Sequence, residues 1–246
     1  MSKVFLDDSS DDNRMRTIAY GGLIGRDANW LKFDSNWTDA TADIRGKAGS
    51  SDLETGRGAF NGWSHKRRHS RYAALIDLIG SSRLFGFGTS IPVSDYQAVF
   101  GSRANPFDLA VAHCGVLSLN MAAIWKDPLK MWFDSSSATS SGRYKFKDAI
   151  SGHPLSEHIS TFSVCTLPVA GSESADFVAR ECFKYHDNVG MRAERKSVLS
   201  LYGKVNFTIW DRLALEKMKE FGWPEDFSAV VDCKLGVRDF IYPDAP

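Results

Sequence analysis

The stretch KVFLDDSSDDNRMRTIAYGGLIG, residues 3–25, decides how the rest of the chain is read. Val4, Phe5 and Leu6 form a short apolar run of the kind that becomes a buried strand. Four aspartates follow within six positions, at Asp7, Asp8, Asp11 and Asp12. Residues 17–25 read as a second strand, in which Gly21 and Gly22 predict a bend or a bulge. Only the polar segment 8–16 joins the two, so an antiparallel hairpin is expected. The first strand should end in a core, yet it runs into concentrated negative charge.

Outward from this hairpin, strands and helices alternate. Trp30, Leu31, Phe33 and Trp37 suggest a helix over 28–45, and 46–62 reads as a loop holding five glycines. SHKRRHSRYAALIDLIG, from Ser64, reads as a helix with Ser64 as N-cap and with Ala74, Leu75, Leu78 and Ile79 at helical spacing. LFGFGTSIPV (84–93) is a third strand, LKMWFD (129–134) a fourth and ISTFSVC (159–165) a fifth. A long apolar helix lies between the third and fourth, and a helix over 172–187 follows the fifth. The expected fold is an α/β mixed five-stranded sheet, its first three strands antiparallel, flanked by helices. Residues 1–190 would form this domain. Residues 191–246 would be an extension packed on it, with an amphipathic helix at 210–223 and an edge hairpin at 228–242.

Bulk composition narrows the function classes. The 246 residues carry 43% hydrophobic and 24% charged side chains, ordinary for a globular protein. Thirty basic and thirty acidic residues cancel, so any electrostatic attraction of a partner must be local. Cys114, Cys165, Cys182 and Cys233 are far apart with no C-x-x-C pair, which argues against a zinc cage or a disulfide scaffold and for reduced thiols in a cytoplasmic protein. The longest apolar stretch, 109–125, is broken by His113, Ser118 and Asn120 and reads as a core helix, not a membrane span. No P-loop, Gly-x-Ser-x-Gly or dinucleotide fingerprint is present.

Three acidic spots lie at the ends of expected core elements: Asp7 and Asp8 after the first strand, Asp134 after the fourth, and Asp176 near the start of the 172–187 helix. Glu173 shares a helix face with Asp176. Converging carboxylates repel unless a cation joins them, and magnesium and manganese favour such oxygen ligands. The plain alternative stands beside this: aspartates after strands make Asx turns, and acids in a first helical turn complement the helix dipole.

FLDDSSD resembles the N-terminal Asp-Glu-Ser-Gly signature of domain-of-unknown-function family 3800. GRGAFNGWSHKRR, LIDLIGSSRLFGFGTSIPVSDY, MWFD and SADFVARE resemble its later blocks in the same order, so the likeness covers roughly residues 1–200. That family is placed in the ribonuclease-H-like superfamily. The resemblance implies a ribonuclease-H-like fold, an acidic cluster made by Asp7, Asp134 and Asp176, and Mg²⁺ or Mn²⁺ as cofactor. It also carries the context of mobile-element or phage-defence loci. Departures are visible: Asp8 stands for the signature glutamate, Ser10 for its glycine, AGS (48–50) for a Phe-His-Met-like block, and Glu173 for a glutamine.

SHKRRHSR (64–71) adds a basic patch of Lys66, Arg67, Arg68 and Arg71 at a helix start, the wrong sign for the macrodipole. It reads as a phosphate contact or as a solvated face. The expected function is a metal-dependent nuclease acting on RNA or DNA. Asp7, Asp134 and Asp176 would be the catalytic ligands, with Asp8 and Glu173 as further ligands, and the patch would hold the nucleic-acid backbone. Rival readings are a non-catalytic module recruiting a protein or nucleic acid into a larger complex, and a toxin needing a neutralising partner.

Overall fold

The computed structural model describes residues 1–11, 16–187, 201, 204–227 and 229–232. Asp12, the basic run 192–196, Cys233 and most of the hairpin expected at 228–242 lie outside the described residues.

β1 (Ser2–Ser10) and β2 (Thr17–Arg26) form the expected antiparallel hairpin, with Asp7 opposite Gly21 and Asp8 opposite Tyr20. The glycine pair makes no bulge. The register of β2 runs unbroken against β1 and against β3 (Phe85–Pro92). The glycines serve close approach instead. A Cβ on Gly21 would lie 2.8 Å from the Phe87 carbonyl oxygen, and one on Gly22 would collide with the Phe5 carbonyl.

The sheet has six strands, one more than expected. β4 (Leu129–Phe133) is parallel to β1, β5 (Ile159–Val164) is parallel to β4, and β6 (Val205–Ile209) is parallel to β3. The order is β5-β4-β1-β2-β3-β6, and β2 is antiparallel to both β1 and β3, as expected for the first three strands. β6 comes from the segment read as an extension, yet it is a strand of the same sheet. Its five residues are all half-buried, so neither a period of two nor a continuous buried run marks it in the sequence.

Helices cover both faces. On one face lies α1 (Asp27–Thr41), then α2 (Ser50–Thr55), α3 (His65–Ser81) and α7 (Ala170–Asp187), joined in a core through Trp30, Trp37, Tyr72, Ile76 and Phe177. On the other face α5 (Pro106–Trp125) and α6 (Ser140–Ile150) pack on Val4, Leu6, Tyr20, Met131 and Phe133. α4 (Val93–Phe100) and α8 (Arg212–Glu220) close that side, with Trp223 behind them donating its indole N–H to the Tyr96 hydroxyl. α5 alone among the described helices is long and apolar enough to cross a membrane, but 83% of its apolar window is buried inside the protein. A helix apolar all round is what a central position demands. Ser64 caps α3 as predicted, accepting from the Arg67 amide.

Four α-helices escaped the sequence reading besides β6. α2 lies within the glycine-rich 46–62 segment, α4 begins directly after β3, α6 begins within the serine-rich 135–142 stretch, and residues Ala229–Asp232 form a short helix where the start of the edge hairpin was expected.

Candidate metal centre

Strands β1, β4 and β5 run parallel. Asp134 and Cys165 directly follow β4 and β5, whereas Asp7 and Asp8, expected after the first strand, lie within β1, which stays paired with β2 as far as Ser10; Asp7 comes just past Leu6, where the β1–β4 ladder ends. In open α/β sheets ligands gather beyond the carboxyl ends of strands. Here a cleft of about 350 Å³ opens at that edge, lined by Asp7, Asp8, Lys47, Asp134 and the 165–168 loop.

One carboxylate oxygen from each of Asp7, Asp8 and Asp134 lies within 4.8 Å of the other two. Pairing alone explains the meeting of the three. The Asp134 amide donates to the Leu6 carbonyl across the β1–β4 ladder, which sets the end of β4 beside Asp7 in the body of β1. Two carboxylates at such a spacing repel by about 3 kcal/mol when both are ionised, at an effective dielectric of about 20. The site stores that repulsion. Burial first, then the Asp176 charge, pushes the Asp7 carboxyl well above its ordinary range. Asp134 and Asp8 add to the effect, and Lys47 opposes it.

Asp134 is the most firmly held. The Tyr20 hydroxyl donates to its Oδ1 (2.8 Å), the Ser136 amide to its Oδ2 (2.6 Å), and the Thr139 hydroxyl reaches both oxygens. Arg143, nearly buried on α6, stands 3.6 Å from Oδ2 and donates to the Asp134 and Ser136 carbonyls. Burial raises the Asp134 pKa despite these partners. The carboxylate is therefore oriented before any ligand arrives, at the expense of hydrogen-bonding capacity on both oxygens.

Asp176 stands apart from the triad. It lies on the first turns of α7 and acts on Asp7 through space. Its Oδ2 accepts the Ser50 amide at 2.6 Å. Burial raises its pKa against Lys47, the Ser50 amide and Arg180. Glu173, a ligand candidate in the sequence, is otherwise engaged. Its two oxygens accept the Trp37 indole N–H (2.9 Å) and the Ala48 amide (2.8 Å), fastening α1 and the 42–49 loop to α7.

Lys47 is the residue the sequence reading missed. Its Nζ lies 3.9 Å from Asp7 Oδ2 with the side chain half exposed. Burial works to lower its pKa, but Asp7, Asp176, Glu173 and Asp134 together overcome this and raise it. The available signal was a lone cation between Gly46 and Gly49, with Gly46 at φ +104°. Tyr20, Thr139 and Arg143 left no such trace.

The basic patch divides. The Arg67 guanidinium lies 3.6 Å above the Trp63 ring and pairs with Asp43 (3.1 Å), and Arg71 pairs with Asp43 (3.0 Å) and bonds the Ala40 carbonyl. Arg68 donates to the Glu54 carbonyl. These three arginines pin α1, the loop after it and α2 onto α3. Lys66 is exposed.

No family model and no curated protein matches this chain.

Proposed function

We propose that this protein is a Mg²⁺- or Mn²⁺-dependent nuclease with a ribonuclease-H-like core, related to domain-of-unknown-function family 3800, that cleaves phosphodiester bonds of RNA or DNA. The observation that carries the proposal is the meeting of Asp7, Asp8 and Asp134 where the β1–β4 ladder ends, inside an open cleft. The donor set fits the ion. It is made of carboxylate oxygens, which suit hard divalent cations, and Lys47, Arg143 and Arg180 are three positive charges against the four of ionised Asp7, Asp8, Asp134 and Asp176. When bound, such an ion would activate water and steady the leaving oxygen of a phosphodiester.

The chain's own residues have separate tasks in this reading. Asp7 and Asp134 hold the ion where the β1–β4 ladder ends, with Tyr20 and Thr139 setting the orientation of Asp134. Asp8 contributes a third oxygen. Asp176, steadied by the Ser50 amide, bounds the site from α7. Lys47 balances the acids until the ion arrives, then turns on its glycine-flanked loop toward the substrate phosphate. Glu173 takes a structural task in this reading, because it lies outside the converging group of Asp7, Asp8 and Asp134 and accepts from Trp37 and Ala48. Of the basic patch, Lys66 is the backbone contact this reading retains. A setting in phage defence or a mobile element rests on the sequence resemblance alone.

The test is cleavage of single- and double-stranded RNA and DNA with Mn²⁺ or Mg²⁺. The wild type cuts at least one substrate, and the Asp7→Asn/Asp134→Asn double variant cuts none. Equal behaviour of the two proteins on every substrate sinks the catalytic reading.

A second reading has its own support. Lys47 beside Asp7, and Arg143, Tyr20 and Thr139 around Asp134, neutralise and occupy the acids internally. A non-catalytic module recruiting a protein or nucleic-acid partner needs no more than that. Calorimetry separates the readings: a Mn²⁺ isotherm lost in Asp7→Asn favours the nuclease, and none at millimolar metal favours the module.

A further inference from the structure

A second cavity, about 550 Å³, opens beside the acidic cleft, and the two share Cys165, Thr166 and Leu167 as a common wall. Its floor is aromatic. Phe5 on β1 and Trp132 on β4 are register partners, with rings nearly parallel (10°) and centroids 6.0 Å apart. Trp132 in turn is opposite Ser163 on β5. A serine at that position sets no bulky neighbour against the outer face of the indole.

The shared wall is unusually apolar for a surface loop. Leu167 is 71% exposed, and Val164 and Val169 are 42% and 41% exposed. Three exposed large apolar side chains within six residues mark a recognition surface rather than scattered surface apolarity. Asp34 and Thr38 of α1 offer polar groups along the opposite side of the cavity.

We propose that this groove takes an unpaired base of the nucleic-acid strand whose phosphate lies at the acidic centre, and so makes single-stranded nucleic acid the substrate class. The proposal rests on the nuclease reading for the placing of the phosphate. Its own grounds are the flat aromatic pair, the apolar wall and the direct continuity with the acidic cleft. Bases within a duplex are stacked on one another and cannot enter such a slot, whereas aromatic platforms hold unpaired bases with little regard to sequence. An apolar peptide would also favour these walls. A divalent ion held by the acids next door, as the nuclease reading has it, favours a phosphate-bearing ligand that reaches both cavities at once.

The experiment measures fluorescence anisotropy on the full chain with Mg²⁺. The probes are cleavage-resistant phosphorothioate strands: oligothymidylate, an abasic strand of equal length and charge, and the matching duplex. The wild type should prefer oligothymidylate to the abasic strand by about tenfold, the scale of one stacked base. The duplex should bind no better than the abasic strand. Trp132→Leu, and separately the surface change Leu167→Ser, should erase most of that preference while affinity for the abasic strand and for Mn²⁺ stays the same. Circular dichroism checks that both variants fold. Equal affinity for based and abasic strands, a preference that survives in both variants, or no binding of any strand overturns the proposal. Its failure is distinct from failure of the nuclease reading. Metal-dependent cleavage with no base preference removes the groove alone. Base preference with no Mn²⁺ binding removes the nuclease and leaves the groove.

Discussion

Asp7 carries two opposed demands. Its backbone must pair with Gly21 in β1, while its carboxyl sits buried among Asp8, Asp134 and Asp176. A carboxyl whose folded pKa lies above its unfolded value binds more protons in the native state. Stability of the metal-free protein therefore rises as pH falls from neutrality through that raised pKa, and levels off below the unfolded value near 3.8. Asp7→Asn removes the penalty. It should raise the metal-free melting temperature at neutral pH by roughly 2–4 °C, about 1 kcal/mol for a chain of this size, and flatten the profile of melting temperature against pH. A melting temperature lowered by Asp7→Asn would show that the carboxylate is stabilised as it stands and that the cluster needs no ion.

Lys47 allows the complementary experiment. Its raised pKa means that its contribution is present below the unfolded value of 10.5 and is lost as pH rises through the folded value. Lys47→Met deletes the internal counter-charge. Calorimetry should then report Mn²⁺ affinity higher by about tenfold, equivalent to ~1.4 kcal/mol, with the metal-free protein less stable at neutral pH. Unchanged affinity would mean that Lys47 does not compete for the site.

Among the elements, β2 shows why a glycine pair can look like a kink in sequence and be straight in structure. Its neighbours β1 and β3 and helix α7 all press on it. A Cβ at Gly21 would lie 2.8 Å from one strand's carbonyl and 3.6 Å from the Ala179 Cα of α7. Gly22→Ala should destabilise by about 2–4 kcal/mol, read by urea denaturation, because backbone and not a flexible side chain stands in the way. α7 holds both a site residue and a structural one. Glu173→Gln should lower stability by about 1–3 kcal/mol through the bonds to Trp37 and Ala48, yet leave the number of bound Mn²⁺ ions unchanged. Loss of a metal site in that variant would restore Glu173 to the ligands.

For the whole molecule, the balance of charge is informative. With thirty basic and thirty acidic residues in balance, and all three patch arginines tied into the protein, the patch leaves Lys66 as its cation to release counterions from a nucleic acid. Binding should therefore depend weakly on monovalent salt, with a slope of about −1 to −3 in log K against log salt, since each phosphate neutralised contributes about −0.7 to −0.9. It should depend strongly on divalent metal. A steep monovalent slope would point to a basic surface outside the regions discussed.

Much of the architecture was legible in short-range pattern. The hairpin, β3, β4, α1, α3, α5 and α7 each bury one face or a whole surface, and periodicity records that directly; β5 was read as a strand although none of its residues is fully buried. β6, α2, α4 and α6 were hidden, because short or half-buried elements leave only a few apolar positions each. Asp7, Asp8 and Asp134 were visible as acids at expected strand ends, where a core element and a charge meet. Their spacing in the chain says nothing of distance in space. Only the parallel pairing of β1 with β4 brings Asp134 to Asp7 and Asp8, and only the packing of α7 turns Asp176 toward Asp7 and Glu173 away to Trp37. Local sequence governs where the chain is helix or strand, since backbone and neighbouring side chains act within a few residues. The meeting of the acids, the intrusion of Lys47 and the binding of the arginines are set by contacts over a hundred positions or tens of positions along the chain, which no local pattern encodes.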